Sequence, residues 1–216
     1  MQDYVIFVIG TNPTRVIRDM RFVETISEVK LFYSESTRPD KDNNLLFSSG
    51  RVTGENGDTV VRLMFLSGDQ SLKELLTSLL DSDAPYPMLG YIVLVDSQYL
   101  DLENEKDTEQ VWMIEREIYG FITKGWLYMS SAREKVHIFR QIVPDAPFTV
   151  AVLNQDTPNA MPLDKVREEL ELDDDVKIVP CDPKSKADVK KVLLELLNSL
   201  ETTPTIEQVI DTINQA

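Results

Sequence analysis

Gly10 closes the apolar run Tyr4-Val5-Ile6-Phe7-Val8-Ile9, and Arg15, Arg18 and Asp19 follow it closely. A glycine between a strand and a helix is where a phosphate-cradling loop would stand, and that chemistry asks for G-x-x-x-x-G-K-[ST]. The glycines let backbone N–H groups turn inward, Lys neutralises the β- and γ-phosphates, and the hydroxyl ligates Mg²⁺. Counted from Gly10, the required positions fall on Arg15, Val16 and Ile17, which supply none of these groups. Pro13 also removes one N–H from the loop. Arg15 and Arg18 offer a substitute anion site at a helix N-terminus. The plainer reading is preferred: two solvated arginines offsetting Asp19 and nearby acids.

Other chemistry is thin. Asp19, Asp69, Asp96 and Asp156 could converge at strand ends and hold a cation, but no ligand spacing defines such a site and no metal is expected. His137 is the only histidine and lies in a helical run, which suggests a surface position. Cys181 is the only cysteine; it follows a short apolar strand and reads as a small core residue. One His and one Cys exclude two-imidazole sites, thiolate metal clusters and a disulfide framework. No nucleophile lies beside a base, so no catalytic residue is assigned.

The elements that must position these residues alternate. Apolar runs at Tyr4–Ile9, Tyr91–Val95, Phe148–Leu153 and Val176–Val179 suit strands covered on both faces. Between them, Leu72, Leu75, Leu76, Leu79 and Leu80 repeat at helical intervals, as do Val189, Val192, Leu193, Leu196 and Leu197. Leu45–Thr53 and Thr59–Leu66 flank an Asn56-Gly57 step and form a hairpin, the one antiparallel feature. This pattern predicts a three-layer α/β fold, Rossmann-like, with about six mostly parallel strands and one antiparallel strand.

Two segments look appended to a domain over residues 1–200. Residues 101–128 form an insertion between the fourth strand and a helix starting near Ser131, and they hold both tryptophans. Trp112, Tyr119 and Trp126 are candidate partner anchors, since Trp and Tyr are preferred at interfaces. The alternative is that this aromatic segment folds back on the domain. Residues 201–216 form a linker and an amphipathic helix, with Ile206, Val209, Ile210 and Ile213 on one face and Thr205 and Gln208 spaced as a capping box. That stripe either packs internally or docks in a groove of a second chain.

Composition bounds the partners. Lys+Arg 22 against Asp+Glu 37 leaves a net charge of −15 over 216 residues. Such a surface repels nucleic-acid backbones and anionic headgroups. No apolar run approaches a bilayer span. Met1 leads directly into a strand-like run with no export signal, so a cytoplasmic protein is expected.

Several stretches, in order, resemble a bacterial and archaeal group of small GTPases related to the gliding-motility GTPase MglA. Phe22-Val23-Glu24-Thr25-Ile26-Ser27-Glu28-Val29 is similar to the first helix of that group, and Ser49-Gly50-Arg51-Val52 to its second strand. Tyr91–Ser97 resembles its fourth strand, and Pro147–Asp156 its fifth strand and base-recognition loop. Val166–Leu170 and Val179–Asp182 continue the likeness, which runs from about Tyr4 to Leu200 outside the insertion.

The resemblance implies a nucleotide site whose parts are altered. Aligned on Phe22, the phosphate-loop Lys falls near Asp19 and the Thr near Met20. The switch I Thr corresponds to Asn43 or Asn44. The loop after the third strand reads Leu66-Ser67-Gly68-Asp69-Gln70, keeping Gln70 at the water-orienting place. The guanine-reading motif reads Leu153-Asn154-Gln155-Asp156, with Asp156 at the position that reads guanine N1 and N2. Without a phosphate, Gln70 reads as a polar loop residue and Asp156 as a structural turn cap. Gly10, Arg15, Arg18, Asn44, Gly68, Gln70, Asn154 and Asp156 are thus vestigial positions, and binding of GTP, GDP or Mg²⁺ is not expected. The expected function is a pseudo-GTPase serving protein interaction, with partners of the roadblock/LC7 type or an active GTPase. The alternative is an atypical GTPase whose phosphate site is rebuilt on Arg15 or Arg18.

Overall fold

The computed structural model describes residues 2–10, 16–30, 46–54, 59–67, 87–97, 126–158, 160–201 and 203–216. Among the described residues seven strands form one sheet: β1 (Gln2–Gly10), β2 (Glu28–Lys30), β3 (Leu46–Thr53), β4 (Thr59–Ser67), β5 (Met88–Asp96), β6 (Phe148–Leu153) and β7 (Lys177–Cys181). Their spatial order is β2-β3-β4-β1-β5-β6-β7. β3 pairs antiparallel with both β2 and β4, whereas β1, β4, β5, β6 and β7 pair in parallel. β3 is therefore the one reversed strand of the described sheet. The six longer strands match the expected ones; the seventh, β2, has three residues, too few to leave a periodic signal.

Five helices are described: α1 (Val16–Ile26), α2 (Trp126–Ile142), α3 (Leu163–Glu169), α4 (Lys186–Leu197) and α5 (Pro204–Gln215). Side-chain alternation along the central strands sends residues to two apolar layers. Tyr4, Ile6, Val8, Leu63, Phe65 and Leu94 pack with α1, α4 and α5. Val5, Phe7, Ile9, Tyr91, Val93 and Val150 pack with α2 and α3. The result is the expected three-layer α/β architecture.

The hairpin forms as expected, with Gly54 donating its N–H to Thr59 O at 3.0 Å where β3 hands over to β4. Four boundaries differ from the sequence reading. The first helix was expected to reach Val29, but α1 ends at Ile26 and Val29 pairs with Gly50 as part of β2. The helix expected from Ser131 starts at Trp126, inside the 101–128 interval, so Trp126 opens α2. The capping pair on Thr205 and Gln208 is replaced by Thr203, whose side chain accepts from Ile206 N, with Pro204 in the first turn. The fourth concerns the tail as a whole.

The tail is part of the core. Ile206, Val209 and Ile213 are buried and Ile210 packs against the same cluster, which α1, α4 and β4 also line. Lys190 of α4 donates to Asn214 O at 2.8 Å and so satisfies a carbonyl in the last turn of α5. Ile206, Ile210 and Ile213, expected as partner anchors, are thus covered within the chain. The expected helix over Leu72–Leu80, the Asn56-Gly57 turn, Trp112 and Tyr119 lie outside the described residues. Among the described residues, no helix is long and apolar enough to cross a membrane.

Candidate functional site

The parallel strands finish along one edge. Gly10 pairs with Ser67 on one side and with Leu94 on the other; Asp96 pairs with Leu153, and Leu153 with Cys181. The chain leaves β1 toward α1 and the β2–β4 side, and leaves β5 toward β6 and β7. The crevice between β1 and β5 is therefore the topological switch point, where open α/β sheets bind ligands.

Three described polar groups meet there. Gly10 has no room for a side chain, because an added Cβ would stand 2.8 Å from the Phe65 ring and 3.3 Å from Asp19 Oδ2. Asp19 is 1% exposed, although it is a carboxylate. Its position explains this: Asp19, Phe22, Val23 and Ile26 recur on the inward face of α1. From the opposite layer comes Lys135, 3% exposed, whose Nζ donates to Gly10 O at 3.1 Å. Lys135 shares the inward face of α2 with Ala132, Val136 and Phe139. The sequence reading passed over Lys135. A lysine within an apolar helical stripe was the signal that could have found it.

The neighbouring strand ends are tied by side chains. Asn154, at φ 60°, donates its Nδ2 to Asp96 Oδ1 at 2.7 Å. Ser97 Oγ donates to Leu153 O at 2.6 Å, and Met161 N donates back to Ser97 O at 2.7 Å. Gln155 Nε2 donates to Met161 O at 2.8 Å, and Thr157 Oγ1 to Asn154 O at 2.9 Å. The segment 154–161 is thus stitched to the ends of β5 and β6. Asp156 is exposed, and the capping expected of it is carried out by Asn154 and Thr157.

The loop after β7 is ordered in the same way. Asp188 Oδ2 accepts from Asp182 N at 3.0 Å, Ser185 caps α4, and Thr25 of α1 donates to Pro183 O at 2.6 Å. Cys181 beneath it is buried, and desolvation, followed by Asp188 and Asp182, pushes its thiol up to about 12. It is the core residue the sequence suggests, and no low-pKa nucleophile. His137 is exposed.

Of the positions expected from the resemblance to belong to a nucleotide site, Gly10 and Asn154 lie on this edge and Arg18 lies in the first turn of α1. Arg15, Asn44, Gly68 and Gln70 fall outside the described residues, as does Asp69. Among the described residues, no group of three His, Cys, Asp or Glu is placed to hold a metal ion. No protein-family model and no curated protein matches this chain. The chemistry of the edge must speak for itself. It offers a buried carboxylate, a buried ammonium that donates to a backbone carbonyl, and strand ends joined by internal hydrogen bonds.

Proposed function

We propose that this chain is a pseudo-GTPase: a small-GTPase-type scaffold, similar to the MglA group, that serves protein–protein interaction without hydrolysing GTP. The observation that carries the reading is the buried carboxylate of Asp19 against Gly10. A nucleoside triphosphate would bring three or four negative charges to that place. At an effective dielectric of about 20, two like unit charges 4 Å apart repel by about 4 kcal/mol, and the sequence holds a carboxylate where the phosphate-loop Lys of the resemblance would stand. The substitutions at Asn44 and Asp69 fit the same reading, since both loops would otherwise respond to the γ-phosphate and Mg²⁺. Partners of the roadblock/LC7 type, or an active GTPase, follow from the resemblance, and a cytoplasmic site from the composition. The net charge of −15 argues against nucleic acid.

Nucleotide content tests this. Purified protein is denatured, the supernatant is resolved by ion exchange for GDP and GTP, and the native protein is titrated with fluorescent GTP and Mg²⁺. No retained nucleotide and no saturable binding are expected. Stoichiometric nucleotide, or micromolar binding lost in Arg15→Ala or Arg18→Ala, would overturn the reading in favour of a rebuilt phosphate site. Titration with a roadblock/LC7-type homodimer, followed by light scattering, should give a complex whose Kd ignores GDP and GTP.

A further inference from the structure

We propose that Glu171 is a charged latch: Arg133 holds it in a backbone conformation that favours glycine, and the pair straps the α3–β7 connection to α2. Among the described residues, Asn154 and Glu171 are the two non-glycines with a left-handed backbone, Glu171 at φ 52°. Glu171 stands one residue past the Leu170 cap of α3, a position that most often takes glycine. The closing pattern is complete there. Glu171 N donates to Glu168 O and Leu172 N to Arg167 O, both at 3.1 Å, and Leu172 and Val166 are buried in one cluster. Asn and Asp ease such a backbone through short local hydrogen bonds. The Glu171 carboxylate reaches across to α2 instead, where Oε1 accepts from Arg133 Nη1 at 3.0 Å.

Two further contacts extend the strap. Arg140, two turns along the same face of α2, pairs through Nη2 with Asp173 Oδ2 at 2.5 Å. Arg167 of α3 donates to Asp173 O and, at 2.9 Å, to the carbonyl of Val176, the residue before β7. β7 is an edge strand of the described sheet, so the strap governs how the chain enters that edge. The side chains of Glu171 and Asp173 are 72% and 69% exposed, which leaves both pairs open to screening. The strap therefore loosens as ionic strength rises. It is independent of any nucleotide chemistry at the end of β1.

A double-mutant cycle on the full chain tests the latch, with Arg133→Gln, Glu171→Gly and the double variant melted by scanning calorimetry at low ionic strength. Glycine eases the backbone at position 171 in either background, but in the wild type it also removes an ion pair. Glu171→Gly should therefore shift the Tm about 1–3 °C less favourably in the wild type than in Arg133→Gln. The same shift in both backgrounds would overturn the proposal, since Glu171 would then owe nothing to Arg133. At about 1 M NaCl the difference should vanish. A difference that persists there is not one of charge, and overturns the latch too.

Amide exchange separates a local latch from a general loss of stability. The N–H groups of Glu171 and Leu172 close the end of α3, and they should exchange about three- to fivefold faster in Arg133→Gln at low salt. Amides of Leu193 and Leu196 in α4, remote from the strap, should keep their wild-type rates. No acceleration at Glu171 and Leu172, or equal acceleration in α4, would count against a strap at this place.

Discussion

Asn154 and Asp96 join the ends of two adjacent parallel strands, with Asn154 Nδ2 donating to Asp96 Oδ1 at 2.7 Å from a backbone held at φ 60°. Asn tolerates that left-handed conformation better than most residues. One residue therefore turns the chain out of β6 and clamps it to β5. The donor of one side chain meets an acceptor of the other across the ends of β6 and β5.

Charge and donor capacity at this pair are separable. Asn154→Asp sets two carboxylates against each other and should lower unfolding stability by about 1–3 kcal/mol. Asp96→Asn combined with Asn154→Asp restores one donor and one acceptor and should recover most of the loss. Urea denaturation of the two variants beside the wild type at pH 7 reads this, and a double variant no better than Asn154→Asp would refute the clamp.

The tail helix contributes to the fold rather than waiting for a partner. Ile213 is fully buried and Ile210 only partly so. Ile213→Ala should cost about 2–5 kcal/mol and Ile210→Ala less. Equilibrium unfolding decides it: an unchanged midpoint for Ile213→Ala would mean that the stripe is not held by this core.

Close packing of α1 on the sheet depends on a missing side chain. A Cβ at Gly50 would collide with Ser27 Oγ and Val23 Cγ1, and Ser27 is itself anchored by donating to Val23 O at 2.6 Å. Gly50→Ala should therefore push α1 off β3 and cost about 1–3 kcal/mol. Thermal melts of Gly50→Ala beside Ser48→Ala, a substitution on the same strand, would show whether the loss is specific to the collision.

Alkaline pH should weaken the fold through Cys181. Burial raises its thiol from 9.0 to about 12, so the folded state resists ionisation that the unfolded state allows. This contribution is complete below pH 9 and is lost as pH climbs toward 12. Tyr91, buried with its ring stacked on Phe148, is shifted in the same direction. At pH 8 the native thiol should react with a disulfide reagent about a thousandfold more slowly than free cysteine, judged by thiolate fraction alone. Fast labelling before unfolding would contradict this.

Much of the edge was legible because its parts are local. Gly10, Asn154 and Cys181 end apolar runs, and a run's end is visible in the chain. Lys135 was not visible in that way. Its partner Gly10 is 125 residues away, and only the register of β1 beside β5, with α2 laid across them, brings the two together. The resemblance sets Asp19 near the place of the phosphate-loop Lys. Its burial comes from sharing a helical face with Phe22, Val23 and Ile26, which the spacing contains.

The sequence by itself determined the layered α/β class, because runs of period two and stripes of period 3.6 each require a partner surface of a definite kind. It determined the hairpin as well, since the turn signal and the flanking strands lie within a few residues of each other. Tertiary structure alone decided which apolar stripe was already covered. The face carrying Ile206, Val209 and Ile213 looks the same in one dimension whether it meets a second chain or its own α4, β3 and β4. It also decided that a carboxylate and an ammonium from opposite layers converge on Gly10, for such an encounter depends on packing across the sheet and leaves no mark in local spacing.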